Sequence, residues 1–109
     1  MPRIEKGFGE RSTDDIVRDI LREYSNRENP ISAKNIEGIA KRKGVEIGRN
    51  AVKGFANRIG ARSYETEEEC DAIIEECQEI EREIVFEKKG PSGRTIGYWM
   101  METISESEW

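Results

Sequence analysis

A chain of 109 residues supports one hydrophobic core with little to spare, and 35% hydrophobic against 38% charged residues puts that core under a heavily solvated surface. No apolar run approaches the roughly 18 to 20 residues needed to cross a bilayer, and the opening MPRIEKGFGERS lacks the apolar centre of a signal peptide, so a cytoplasmic protein without a membrane partner is expected. The absence of histidine and the presence of only two cysteines leave zinc binding and histidine-based acid–base catalysis without residues to use.

Residues 1–11 mix Pro2, Gly7 and Gly9 with charges and show no periodicity, which predicts a flexible basic arm ahead of a single domain over 12–101. Such an arm can reach a minor groove, as homeodomain arms do, or simply lack order. Ser12 or Thr13 then caps a helix with Asp14 and Asp15 in its first turn, where the dipole favours negative charge. Its buried face is Ile16, Val17, Ile20, Leu21 and Tyr24, and it must stop before Asn29-Pro30.

Ser32 is the natural cap of a second helix, over about 32–43, whose apolar face is Ile36, Ile39 and Ala40. Gly44 can leave the helix through positive φ, and Val45 and Ile47 follow as apolar pegs. A third helix is expected at about 49–59. Val52, Phe55, Ala56 and Ile59 recur at i, i+3, i+4 and i+7, and Gly60 closes it. Away from that stripe lie Arg49, Asn50, Lys53, Asn57 and Arg58, side chains able to reach phosphates or base edges, with no acid among them.

This pair resembles a helix-turn-helix motif. Ala40 and Gly44 stand where that family has the small residue of the first helix and the turn glycine, and Val52 and Phe55 anchor the second. The extra residues after Gly44 match the looser turns of winged-helix proteins. The resemblance spans about a third of the chain. It implies a three-helix core in which the first helix is scaffold and the third enters DNA.

Residues 61–65 are an extended connector with a strand residue or two at Ser63 and Tyr64. Thr66 and Glu69 have capping-box spacing, and Cys70, Ile73, Ile74, Cys77 and Ile80 form a stripe along an otherwise glutamate-rich helix over about 66–82. A plain winged helix passes directly from its recognition helix into its hairpin, so this helix is an addition. Its stripe suits either the chain's own core or a homodimer contact. Cys70 and Cys77 are about 10 Å apart along it, too far to bridge, and are expected to be core filler.

Residues 84–89 and 94–101 are β-rich and joined by Gly90-Pro91-Ser92-Gly93, a hairpin over about 84–101. Ile84 and Phe86 alternate on one strand, and Ile96, Tyr98 and Met100 on the other, with Trp99 reversed. Lys88, Lys89 and Arg94 cluster at its tip. Beside the motif, such a basic-tipped hairpin looks like the wing of a winged-helix domain; basic residues also protect exposed hairpin edges. Residues 102–109 form an acidic tail whose terminal Trp109 could fold back.

Charge follows the same division. Residues 1–62 hold 14 bases against 9 acids, or +5, and residues 63–109 hold 4 against 14, or −10. The polarity suits a nucleic-acid face with an acidic back. The expected fold is α+β, a mainly helical winged helix-turn-helix with an extra acidic helix. The expected function is sequence-specific binding of double-stranded DNA in transcriptional regulation, as a homodimer. Asn50, Lys53 and Asn57 would read bases with Arg49, while Arg58, Lys41, Arg42, Lys43, Lys88, Lys89 and Arg94 hold the backbone and flanking groove. The alternative is a winged-helix module that docks another protein through its acidic helix. No metal, cofactor or catalytic role is expected. The glutamates string around a helix rather than pairing in a pocket, and no phosphate-binding Gly-Lys loop occurs.

Overall fold

The computed structural model describes residues 12–77 and 83–102, and these form an α+β domain of four helices and a three-stranded sheet. The expectations for the arm over 1–11, for the acidic helix beyond Cys77, and for the tail with Trp109 lie outside the described residues.

Three helices come first: α1 (Thr13–Tyr24), α2 (Ala33–Arg42) and α3 (Arg49–Ile59). Their starts follow local chemistry. Ser12 accepts the Asp15 amide at 3.1 Å, and Ser32 and Asn35 cap each other's backbone reciprocally. Gly60 ends α3 in the left-handed region at φ 77°, which a side chain would resist. Ile16, Val17, Ile20, Leu21, Ile36, Ile39, Ala40, Val52, Phe55 and Ala56 pack into one core with Ile31 and Ile47. Tyr24, expected in that core, is 39% exposed and carries the Lys43 ammonium 5.7 Å from its ring centre.

The connector after α3 forms a full strand, β1 (Arg62–Tyr64), followed by α4 (Glu67–Cys77), β2 (Glu83–Lys89) and β3 (Thr95–Glu102). β1 runs parallel to β2, with Arg62 opposite Phe86 and Tyr64 opposite Lys88, and β2 pairs antiparallel with β3. Parallel pairing needs a long crossover, and α4 lies within it. The acidic helix therefore belongs to a β–α–β unit placed between α3 and the β2–β3 hairpin.

Both faces of the sheet are covered. Val85, Tyr98 and Met100 face the three-helix core, whereas Ile84, Phe86 and Trp99 face a second cluster with Tyr64, Cys70 and Cys77. Ile73 and Ile74 pack against this second cluster, so the stripe of α4 meets the chain's own sheet. Ile96 departs from the alternation expected of it. Lys88 pairs with Gly97 and Lys89 with Thr95, leaving Ile96 in a bulge and 49% exposed.

Besides this packing and the Arg22–Glu83 ion pair, one backbone bridge ties the hairpin to the segment before α2. Tyr98 N–H donates to the Ile31 carbonyl at 2.7 Å and Ile31 N–H to the Tyr98 carbonyl at 3.2 Å. The close approach requires glycine next door, because a Cβ on Gly97 would lie 2.9 Å from Pro30 Cβ and 3.3 Å from its carbonyl carbon. Gly97→Ala should therefore destabilise the domain by about 1 to 3 kcal/mol through overpacking. Urea unfolding followed by far-ultraviolet circular dichroism checks this as a lower midpoint, and an unchanged midpoint would show that the contact relaxes freely.

Candidate nucleic-acid interface

With 3.6 residues per turn, the polar side of α3 is an arc that begins at Arg49 and Lys53, passes through Asn57 and Asn50, and ends at Gly54 and Arg58. The structure divides that arc between three uses. At its centre Asn50 and Asn57 are exposed.

On one edge the arc meets the hairpin. A cleft of about 460 Å³ is lined by Lys34 from α2, Arg49 and Lys53 from α3, and Arg94 from the hairpin. Ser32, Thr95 and Tyr98 supply hydroxyls to its wall. Of the four cations only Arg49 has an ion-pair partner among the described residues, with Nε 2.9 Å from Glu37 Oε2. Like charges brought together without partners repel, so their convergence marks a surface suited to an anion. Beneath the rim, the Glu87 carboxylate accepts from Thr95 Oγ1 at 2.8 Å, Ser63 Oγ at 3.3 Å and Tyr98 Oη at 3.5 Å. Burial, reinforced by Glu87, pushes the Tyr98 hydroxyl up to about 12, so it remains a neutral donor.

On the other edge Arg58 turns to α1. Its Nε and Nη2 donate to the two Asp14 carboxylate oxygens at 2.9 and 2.6 Å, a bidentate fork. The guanidinium crosses over Gly54, where a Cβ would come within 3.2 Å of Nη1. Arg58 is thus engaged in joining α3 to α1.

The remaining bases are spread more widely. Lys41, Arg42 and Lys43 end α2, where positive charge complements the dipole, and Arg42 lies about 12 Å along the helix from Lys34. Lys43 reaches Glu23 at 3.8 Å. Lys88 has the parity of Ile84 and Phe86 and so shares the α4 face; its charge acts on Cys70, whose thiol is nonetheless pushed up by burial. Lys89 is half-buried opposite Thr95. Sequence reasoning left Lys34 unassigned because its place in the cleft depends on the distant Ile31–Tyr98 bridge; its only local signal is a basic residue two positions after the cap of α2. Among the described residues no group of three or more metal-ligating side chains converges, and no helix is long and apolar enough to cross a membrane.

No family model, no curated protein and no solved structure matches the chain.

The Arg58 fork holds the Asp14 carboxyl below its ordinary value of 3.8. A depressed carboxyl contributes stability that is complete above the unfolded-state value and disappears as pH falls through the folded-state value. Asp14→Asn should therefore lose stability at pH 6 and converge with the unsubstituted protein near pH 2. Arg58→Gln should give the same profile, with no further loss in the double variant. Urea unfolding across that range is the measurement, and parallel pH curves for the variant and the unsubstituted chain would contradict the coupling.

Proposed function

We propose that this protein is a winged-helix binder of double-stranded DNA, with α3 in the major groove and the β2–β3 hairpin as the wing. The observation that carries the proposal is the cleft in which Arg49 and Lys53 of α3 share a wall with Arg94 of the hairpin. Phosphate contacts give register and affinity, and exposed amides read base edges. In this assignment Lys34, Arg49 and Arg94 bind phosphates, and Asn50, Lys53 and Asn57 face the bases. Lys41 and Arg42 would meet the backbone further along. Regulation of transcription is the role such a binder would serve. A homodimer on paired half-sites would need a contact other than the stripe of α4, which packs on the chain's own sheet.

A second proposal, a protein-docking module, is favoured by one observation: Glu68, Glu69, Glu75 and Glu76 lie exposed on α4. Salt dependence separates the two. Phosphate contacts from Lys34, Arg49 and Arg94, with Lys41 and Arg42 further along, should give a log–log salt slope of about −4 to −5. Lys34→Gln and Arg94→Gln should each reduce that slope by about 1, whereas Lys88→Gln and Arg58→Gln should leave it unchanged. Binding measured on a random duplex pool, followed by selection of the retained sites, supplies both slope and sequence. Failure to retain duplex, or an equal effect from Lys88→Gln, would reject the assignment.

A further inference from the structure

The helix α4 is poorly provided for, both within itself and underneath. Six of its eleven residues are acids and none is a base. Glu67–Asp71 and Asp71–Glu75 are like-charge pairs four apart on one side of it. Among the described residues its buried side chains are the small Cys70 and Cys77, supplemented by half-buried Ile73 and Ile74.

Below it lies the aromatic face of the sheet. Tyr64 stacks edge-on against Phe86 and Trp99, with ring centres 5.8 and 4.8 Å away. The Tyr64 hydroxyl and the Trp99 indole N–H are both buried there without a hydrogen-bond partner among the described residues. Each would recover a bond to water if uncovered, so part of what apolar burial gains at this interface is forfeited.

A clasp from the turn after α1 adds to this packing. Arg27 donates from Nε to Glu67 Oε1 at 2.9 Å and from Nη2 to Asp71, placing one guanidinium between two carboxylates that would otherwise repel. Arg62 reaches Glu76 at 4.0 Å. These pairs are largely exposed, and exposed pairs contribute little each.

We infer that α4 is a detachable cover, opening as a unit while α1, α2 and α3 remain folded, and thereby uncovering Cys70 and the Tyr64–Phe86–Trp99 face. Opening rehydrates both stranded donors at the loss of the Arg27 clasp, whereas the one buried donor without a hydrogen bond on the three-helix side, Arg18 Nε, keeps Glu83 Oε1 at 3.6 Å, and that side should open only globally. The device is independent of duplex binding, since none of its residues lines the cleft.

Thiol labelling of the native full-length chain, located by mass spectrometry, reads the opening directly. Cys70 should label through an opening at least about a hundredfold more populated than the one that exchanges the Val17, Ile36 and Phe55 amides in the same buffer. Arg27→Gln should speed Cys70 labelling about fivefold and leave those amides unaffected. Tyr64→Phe removes one stranded donor without changing the ring, so it should slow labelling about tenfold. Equal opening for Cys70 and the core amides would overturn the cover, as would an Arg27→Gln effect shared by the core. Unchanged or faster labelling in Tyr64→Phe would overturn the stranded-donor argument for it.

Discussion

Two backbone hydrogen bonds between Ile31 and Tyr98 set the relation between the two halves of this domain. One partner precedes α2 and the other lies in the last strand, so the bridge spans nearly the whole described chain. It forms because Gly97 has no Cβ and the strand can close on Pro30. Everything basic that meets in the cleft follows from that contact. Lys34 lies three residues beyond Ile31, Arg94 four before Tyr98, and α3 joins the same core through Val52, Phe55 and Ala56.

The sheet acts as a partition. Strand alternation sends Val85, Tyr98 and Met100 to one core and Ile84, Phe86 and Trp99 to another, and β1 extends the same partition by pairing parallel to β2. Charge separates with it. Positive groups gather at the cleft beside α2 and α3, and glutamates lie on α4 across the sheet. The two cores are unequal in quality. The first is mostly aliphatic around Phe55 and Tyr98, whereas the second sets large rings against small thiols and leaves two donors unmet.

On α3 a single polar arc meets competing demands. Arg49 and Lys53 face the cleft, Asn50 and Asn57 face outward, and Arg58 folds across Gly54 to Asp14. An arginine at the edge of such an arc has a long enough stem to serve either a ligand or a neighbouring helix. The first-turn acid of α1, placed to complement that helix's own dipole, also captures Arg58. One residue thus caps electrostatically and cross-links at once.

Much of the local structure was legible in the sequence. Ser12, Ser32 and Thr66 cap where their hydroxyls predict, Gly44 and Gly60 take positive φ, and the apolar spacing of each described helix identifies most of its buried face. These features depend on interactions within one turn of chain, which spacing encodes. The exceptions involve long-range partners: Tyr24 is drawn out beneath Lys43, and Ile96 is displaced by a bulge that only pairing with β2 creates. The cleft was half legible, because Arg49, Lys53 and Arg94 announce themselves as bases but not as neighbours. Tertiary structure alone decided that Lys34 joins them, that Arg58 and Lys88 point elsewhere, and that three residues of the 61–65 connector become a parallel strand. Each outcome depends on which distant backbone satisfies a given N–H or leaves room for a given side chain, and no local pattern in the chain carries that information.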